Sequence, residues 1–122
     1  MARVYRGSCH CGAVGFEYRR TPEWLTSCNC SFCRRAGALW AYAEMRQIDV
    51  RGDPEETFRY VWGDRTLAFH ICHTCGCTAC WTSLQPAPEA RMGVNFALVD
   101  PADRAGLRIR HLDGADTWQW LD

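Results

Sequence analysis

Nine cysteines fall in three tight clusters along this chain of 122 residues: Cys9-x-Cys11, Cys28-x-Cys30-x-x-Cys33 and Cys72-x-x-Cys75-x-Cys77-x-x-Cys80. Packing alone does not recruit so many. A chain of this length buries about two-thirds of the surface it exposes when unfolded, so it can hold a core without staples. A disulfide framework is one account, but it suits a secreted chain with an even count. Here the count is odd, and residues 1–9 (MARVYRGSC) lack the apolar stretch of a signal peptide. Cysteines one residue apart also rarely reach relaxed disulfide geometry with each other. The expectation is a cytoplasmic chain whose thiols bind metal.

Zinc accounts for the spacing. Two cysteines two residues apart can turn both thiolates toward one ion at about 2.3 Å each. Cys72-His73-Thr74-Cys75-Gly76 is such a half-site, and Gly76 permits a backbone conformation that a Cβ would hinder. Cys9 and Cys11 can supply the second pair from a distant part of the chain. Four thiolates from Cys9, Cys11, Cys72 and Cys75 would close the coordination sphere, making that site structural. The competing partition is a self-contained site of Cys72, Cys75, Cys77 and Cys80, which leaves Cys9 and Cys11 without partners.

Cys28, Cys30 and Cys33 offer three ligands with no obvious fourth, unless Cys77 or Cys80 completes the set. The plainer reading makes those two small buried thiols. Three protein ligands plus an open position is the arrangement of a catalytic zinc. Three thiolates leave the dication electron-rich, so it acidifies water weakly but can take up a further soft thiolate. Thiol-plus-carbonyl chemistry is the expectation, with zinc as cofactor at one structural and one catalytic-type site.

Apolar residues recur with period two along most of the chain. Val14, Phe16 and Tyr18 form one such run, and Leu39, Ala41 and Ala43 oppose Trp40 and Tyr42. Phe58, Tyr60 and Trp62 follow, then Leu67, Phe69 and Ile71, then Met92, Val94, Phe96 and Leu98, with Leu107 and Ile109 as a later strand. Turn signals at Gly52-Asp53-Pro54 and Gly63-Asp64 separate them. Short strands with turns between predict an all-β fold in one domain, residues 1–122. Helix has two small footholds: a turn over 32–36 capped by Ser31 and ended by Gly37, and a start at Asp100-Pro101. Residues 85–89 (QPAPE) read as a loop between strands.

All 14 basic residues are arginine and 14 acidic residues balance them. Without a basic excess, no nucleic-acid partner is expected. No apolar run reaches the roughly 18 residues of a membrane span. Arg34 and Arg35, directly after the triplet, could pair with a substrate carboxylate; the plainer reading is a solvated pair at a helix end. His10 is expected to point away from the metal, His70 and His73 to be exposed polar residues or alternate ligands, and His111 carries no signal. Trp118 and Trp120 could cover a pocket or an oligomer contact.

Gly7-Ser8-Cys9-His10-Cys11-Gly12, Cys28-x-Cys30-x-x-Cys33 and residues 69–81 (FHICHTCGCTACW) together resemble the glutathione-dependent formaldehyde-activating enzyme family, which includes relatives of centromere protein V. The likeness runs from the first strand to Trp118-Gln119-Trp120. It implies a β-tent fold of antiparallel sheets, a structural zinc on Cys9, Cys11, Cys72 and Cys75, and a second zinc on Cys28, Cys30 and Cys33. It also implies a carbon–sulfur lyase that condenses glutathione, or a small thiol like it, with formaldehyde to S-hydroxymethylglutathione. The sequence departs from the family at Cys77, where a small hydroxyl residue is usual, and near Cys80, where an apolar one is. The other class of function is a non-enzymatic zinc-stabilised binding or carrier module.

Overall fold

The computed structural model describes residues 3–122. Its strands follow in the order β1 (Tyr5–Ser8), β2 (Gly15–Tyr18), β3 (Leu25–Cys28), β4 (Trp40–Glu44), β5 (Ile48–Arg51), β6 (Thr57–Tyr60), β7 (Leu67–Cys72), β8 (Thr78–Ser83), β9 (Arg91–Asn95) and β10 (Ile109–Leu112). Helix among the described residues amounts to α1 (Cys33–Ala36) and three single 3-10 turns. The all-β expectation holds. No helix among these residues is long and apolar enough to cross a membrane.

β1, β2 and β5 form a three-stranded antiparallel sheet, and the other strands form a seven-stranded sheet in the order β10-β3-β4-β9-β8-β7-β6. One pair departs from the antiparallel expectation. β10 runs parallel to β3, which sets Leu112 beside Cys28. Parallel neighbours need a long connection rather than a hairpin, and most of the chain separates these two.

The period-two alternation of β4 sorts its side chains between two environments. Ala41 and Ala43 enter the core between the sheets, with Tyr5, Phe16, Tyr18 and Ile48 from the small sheet and Met92, Val94 and Cys80 from the large one. Phe96 sits among the aromatic rings of that core, with centroids 5.2 Å from both Tyr5 and Tyr18. Trp40 faces the opposite side of the sheet, where it packs with Phe69, Cys28, Cys30 and Cys33. Thus the large sheet is covered on one face by the small sheet and carries an aromatic floor on the other.

Several local expectations change. Ser31 does not cap α1: the residue before the helix is Phe32, with no side-chain cap, and Gly37 ends the helix in the left-handed region at φ 65°. The Cys33 N–H instead donates to the Cys30 sulfur at 3.3 Å, so a thiol does the capping. Asp100 starts a turn, accepting the N–H groups of Asp103 and Arg104, that does not propagate into a helix. The Met92–Leu98 run is strand only as far as Asn95; Phe96–Leu98 is a 3-10 turn in which the Ala97 N–H donates to the Asn95 side chain and the Phe96 N–H to Leu39 O. β6 lies at the sheet edge, and Phe58 and Tyr60 are exposed there.

Candidate metal centres and cavity

The chain ends of β1 and β7 bring four cysteines together. The sulfurs of Cys9, Cys11, Cys72 and Cys75 all lie within 4.8 Å of one another. Cys9 and Cys11 sulfurs are 3.6 Å apart, as are those of Cys11 and Cys72. A disulfide would bring two sulfurs to about 2.05 Å, whereas ligands about 2.3 Å from a tetrahedral zinc lie roughly 3.8 Å apart. The thiols are free, and their spacing fits a metal tetrahedron. Each half of the cluster closes in the same way. Gly12 N–H donates to Cys9 O at 3.1 Å and Gly76 N–H to Cys72 O at 3.0 Å, with the two glycines at φ 86° and 79°. A side chain is rarely tolerated at such angles. Backbone N–H groups of Cys11 and Cys77 pull the Cys75 thiol down to about 5, a thiolate ready for metal.

The second cluster stands on the other face of the large sheet. β3 ends on Cys28, and the turn into α1 carries Cys30 and Cys33, the three sulfurs again within 4.8 Å of one another. All three are buried. Donors converge on them: Cys30 N–H on the Cys28 sulfur at 3.5 Å, Cys33 N–H on that of Cys30 at 3.3 Å, and the Trp40 indole N–H on that of Cys33 at 3.3 Å. A hydrogen bond from the Cys33 thiol, against burial and helped by the backbone of Cys30 and Gly114, pulls Cys28 down to about 6. The same bond holds the Cys33 thiol protonated. A dication would take the place of that shared proton.

These three cysteines form the floor of a cavity of about 550 Å³ whose walls include Trp40, Tyr42, Phe69, Trp81 and Leu112, with Trp62, Asp64, Thr66 and Trp118 toward its mouth. No fourth cysteine lines it. Cys80 is 2% exposed and belongs to the core between the sheets, where burial raises its thiol to about 12. Cys77 is half-buried beside the four-cysteine cluster. Neither completes the triplet. The self-contained grouping of Cys72, Cys75, Cys77 and Cys80 does not form either, since the strand direction of β8 carries Cys80 away from the turn. The plain reading of a small buried thiol holds for Cys80 and not for Cys77.

The family model for glutathione-dependent formaldehyde-activating enzymes matches residues 4–111. The chain belongs to that family. Among solved structures, it is similar to a Rhodobacter sphaeroides protein determined as a structural-genomics target. The two are 33% identical, with a TM-score of 0.69, over 85% of this chain and 98% of that one. Among curated proteins, none matches. Independently of that match, the two cysteine clusters are each able to hold a metal ion.

Arg34 and Arg35 are exposed and stand outside the cavity lining; Arg35 donates to Ser31 O at 2.7 Å. His10 is exposed and outside the cluster. His70 is half-buried and meets Thr82 Oγ1 at 2.7 Å, and His73 lies against Phe58, so neither joins a metal cluster. Trp118, 65% exposed, stands at the cavity mouth with φ 58°, while Trp120 packs edge-on against Trp24 with Arg110 over both rings.

Three further residues shape the site. Asn29, between two of the cysteines, donates to Asp113 and accepts the Ala115 N–H. Gly114 lies so close that a Cβ there would overlap the Cys28 sulfur. The Tyr42 hydroxyl stays protonated, because burial raises its pKa. A signal for Gly114 was present in Asp113-Gly114, a turn dipeptide after the last strand. Nothing in the sequence alone aimed it at Cys28.

Proposed function

We propose that residues 1–122 act as one unit that joins a small thiol to formaldehyde or a related carbonyl compound, a carbon–sulfur lyase type of reaction. Cys28, Cys30 and Cys33 hold the catalytic-type zinc in this reading, and Cys9, Cys11, Cys72 and Cys75 hold the structural one. Nine unpaired thiols suit the reducing cytoplasm. One observation carries the proposal: three converging sulfurs floor a cavity that offers no fourth cysteine. Zinc bound there supplies a soft, open position that favours the thiolate form of an incoming thiol.

The chain's own residues supply the rest. The N–H donors of Cys30, Cys33 and Trp40 spread the negative charge of the three sulfurs. The aromatic walls exclude water from the electrophile. The substrate sulfur bonds to the carbonyl carbon and the C=O π bond opens. The carbonyl oxygen then takes up a proton equal to the one the thiol gave, so no oxidant or reductant is needed. The Tyr42 hydroxyl, which lines the cavity and keeps its proton, donates a hydrogen bond to that oxygen.

The test is exchange NMR with labelled formaldehyde and a thiol. Zinc-loaded protein accelerates hemithioacetal formation, and Cys30→Ser, folded and carrying the other zinc, does not. Equal rates with both proteins overturn the reading. They would favour the binding-module alternative, for which the exposed Phe58 and Tyr60 of edge strand β6 are the supporting feature.

A further inference from the structure

Among the described residues, no cationic group lines the cavity. Its lining includes no arginine and no histidine, and the chain contains no lysine at all. The charged group it does contain is the Asp64 carboxylate, held at the mouth by the Thr66 N–H at 3.3 Å and the Thr66 hydroxyl at 2.9 Å. The rings of Trp62 and Trp118 share the mouth with it, and those of Trp40, Phe69 and Trp81 line the cavity further in. The floor is three cysteine sulfurs, which exceed the charge of a bound dication by one.

A glutathione molecule brings two carboxylates and one ammonium besides its sulfur. The cavity volume of about 550 Å³ is within the range of sites for ligands of that size, so size does not decide. Charge does. Buried carboxylates need a cation or several donors, and recognition of carboxylates falls characteristically to arginine. Arg34 and Arg35, the nearest in sequence to the triplet, stand outside the lining. Arg65, next to Asp64 in the β6–β7 turn, also stands outside it, with its backbone in the left-handed region at φ 58°.

From this we infer that the thiol taken by the Cys28–Cys30–Cys33 site is a neutral, apolar one with an aromatic or branched body and no carboxylate. The inference rests on the proposed thiol chemistry and narrows its substrate class. An aromatic thiol fills the cavity by stacking on its rings, and it adds no further negative charge beyond its own sulfur.

The test is anaerobic calorimetric titration of the zinc-loaded full chain with phenylmethanethiol and with glutathione. Phenylmethanethiol is expected to bind at least tenfold more tightly. Asp64→Asn should raise glutathione affinity severalfold, since it removes the repelling carboxylate. Glutathione binding as tight as phenylmethanethiol overturns the inference and leaves the thiol chemistry standing. Loss of that glutathione binding in Arg65→Ala would also overturn it, showing that Arg65 swings in to supply the cation. Failure of both thiols to bind a protein loaded at both clusters removes the proposed chemistry and the inference with it.

Discussion

Asn29 clamps Asp113 to the cysteine triplet: its Nδ2 donates to Asp113 Oδ1 at 3.1 Å while its own Oδ1 accepts the Ala115 N–H at 2.9 Å. The carboxy-terminal loop is thereby fixed over Cys28. Asp113 O in turn accepts the Trp118 N–H at 2.7 Å, so the same loop delivers the indole at the cavity mouth. Asn29→Asp keeps the shape, removes the donor and sets one carboxylate against another. The expected result is a protein with an almost unchanged melting midpoint and a thiol affinity reduced severalfold, read by titration calorimetry.

The Asp113 carboxyl is held below the ordinary carboxylate range, first by the Asn29 side chain and then by the Thr117 hydroxyl and N–H. A depressed folded pKa contributes stability that is present above the unfolded value of 3.8 and lost as pH falls through the lower folded value. Replacing Asp113 by Asn should therefore loosen the loop at neutral pH. Its difference from the parent protein should shrink below about pH 4. Hydrogen exchange at the Trp118 amide, followed against pH in both proteins, reads the effect.

Gly114 has no room for a methyl group, because the Cys28 sulfur occupies that space. Gly114→Ala must push either the loop or the sulfur outward. The four-cysteine cluster lies on other elements, so it should keep its metal. Metal analysis should find the zinc content halved in a folded Gly114→Ala protein.

The cysteine clusters were legible because thiols able to hold one ion together recur within a few residues of each other. The two sides of β4 were legible too, since Trp40 and Tyr42 alternate with Ala41 and Ala43. What lay hidden depends on contacts between distant segments. Parallel pairing of β10 with β3 brings Asp113 and Gly114 against Asn29 and Cys28, and no local periodicity encodes that neighbourhood. Phe58 and Tyr60 alternate like a half-buried strand, yet on edge strand β6 they stay largely exposed, with His73 against the one and Phe32 against the other. Cys77 and Cys80 look alike in sequence and part company because one remains at the turn while the other enters β8.

Cys80, like Cys77, belongs to neither cysteine cluster, and it alone of the two sits in the core between the sheets. Buried between the sheets and raised to about 12, it stays protonated and resists alkylation in the folded protein. Cys80→Ala should cost about 1 kcal/mol, the scale of one lost buried group with a small cavity. Zinc content should not change. Urea denaturation and metal analysis of the variant measure the two effects separately.

Cys75 and Cys30 each belong to a cluster of thiols, yet their loss should differ in kind. The Cys75 cluster ties residues after β1 to the turn between β7 and β8, with Cys72 at 0% exposure. Zinc at such a site contributes on the order of 10 kcal/mol to folding, comparable with the whole stability of a domain, about 5–15 kcal/mol. Cys75→Ser should therefore yield an unfolded chain, and a strong chelator should melt the parent protein in the same way. Cys30 sits on a short turn whose neighbours are already held by β3, β4 and β10. Cys30→Ser should keep the far-ultraviolet dichroism of the parent and half its zinc. A Cys30→Ser protein that unfolds as completely as Cys75→Ser would mean that both metals hold the fold.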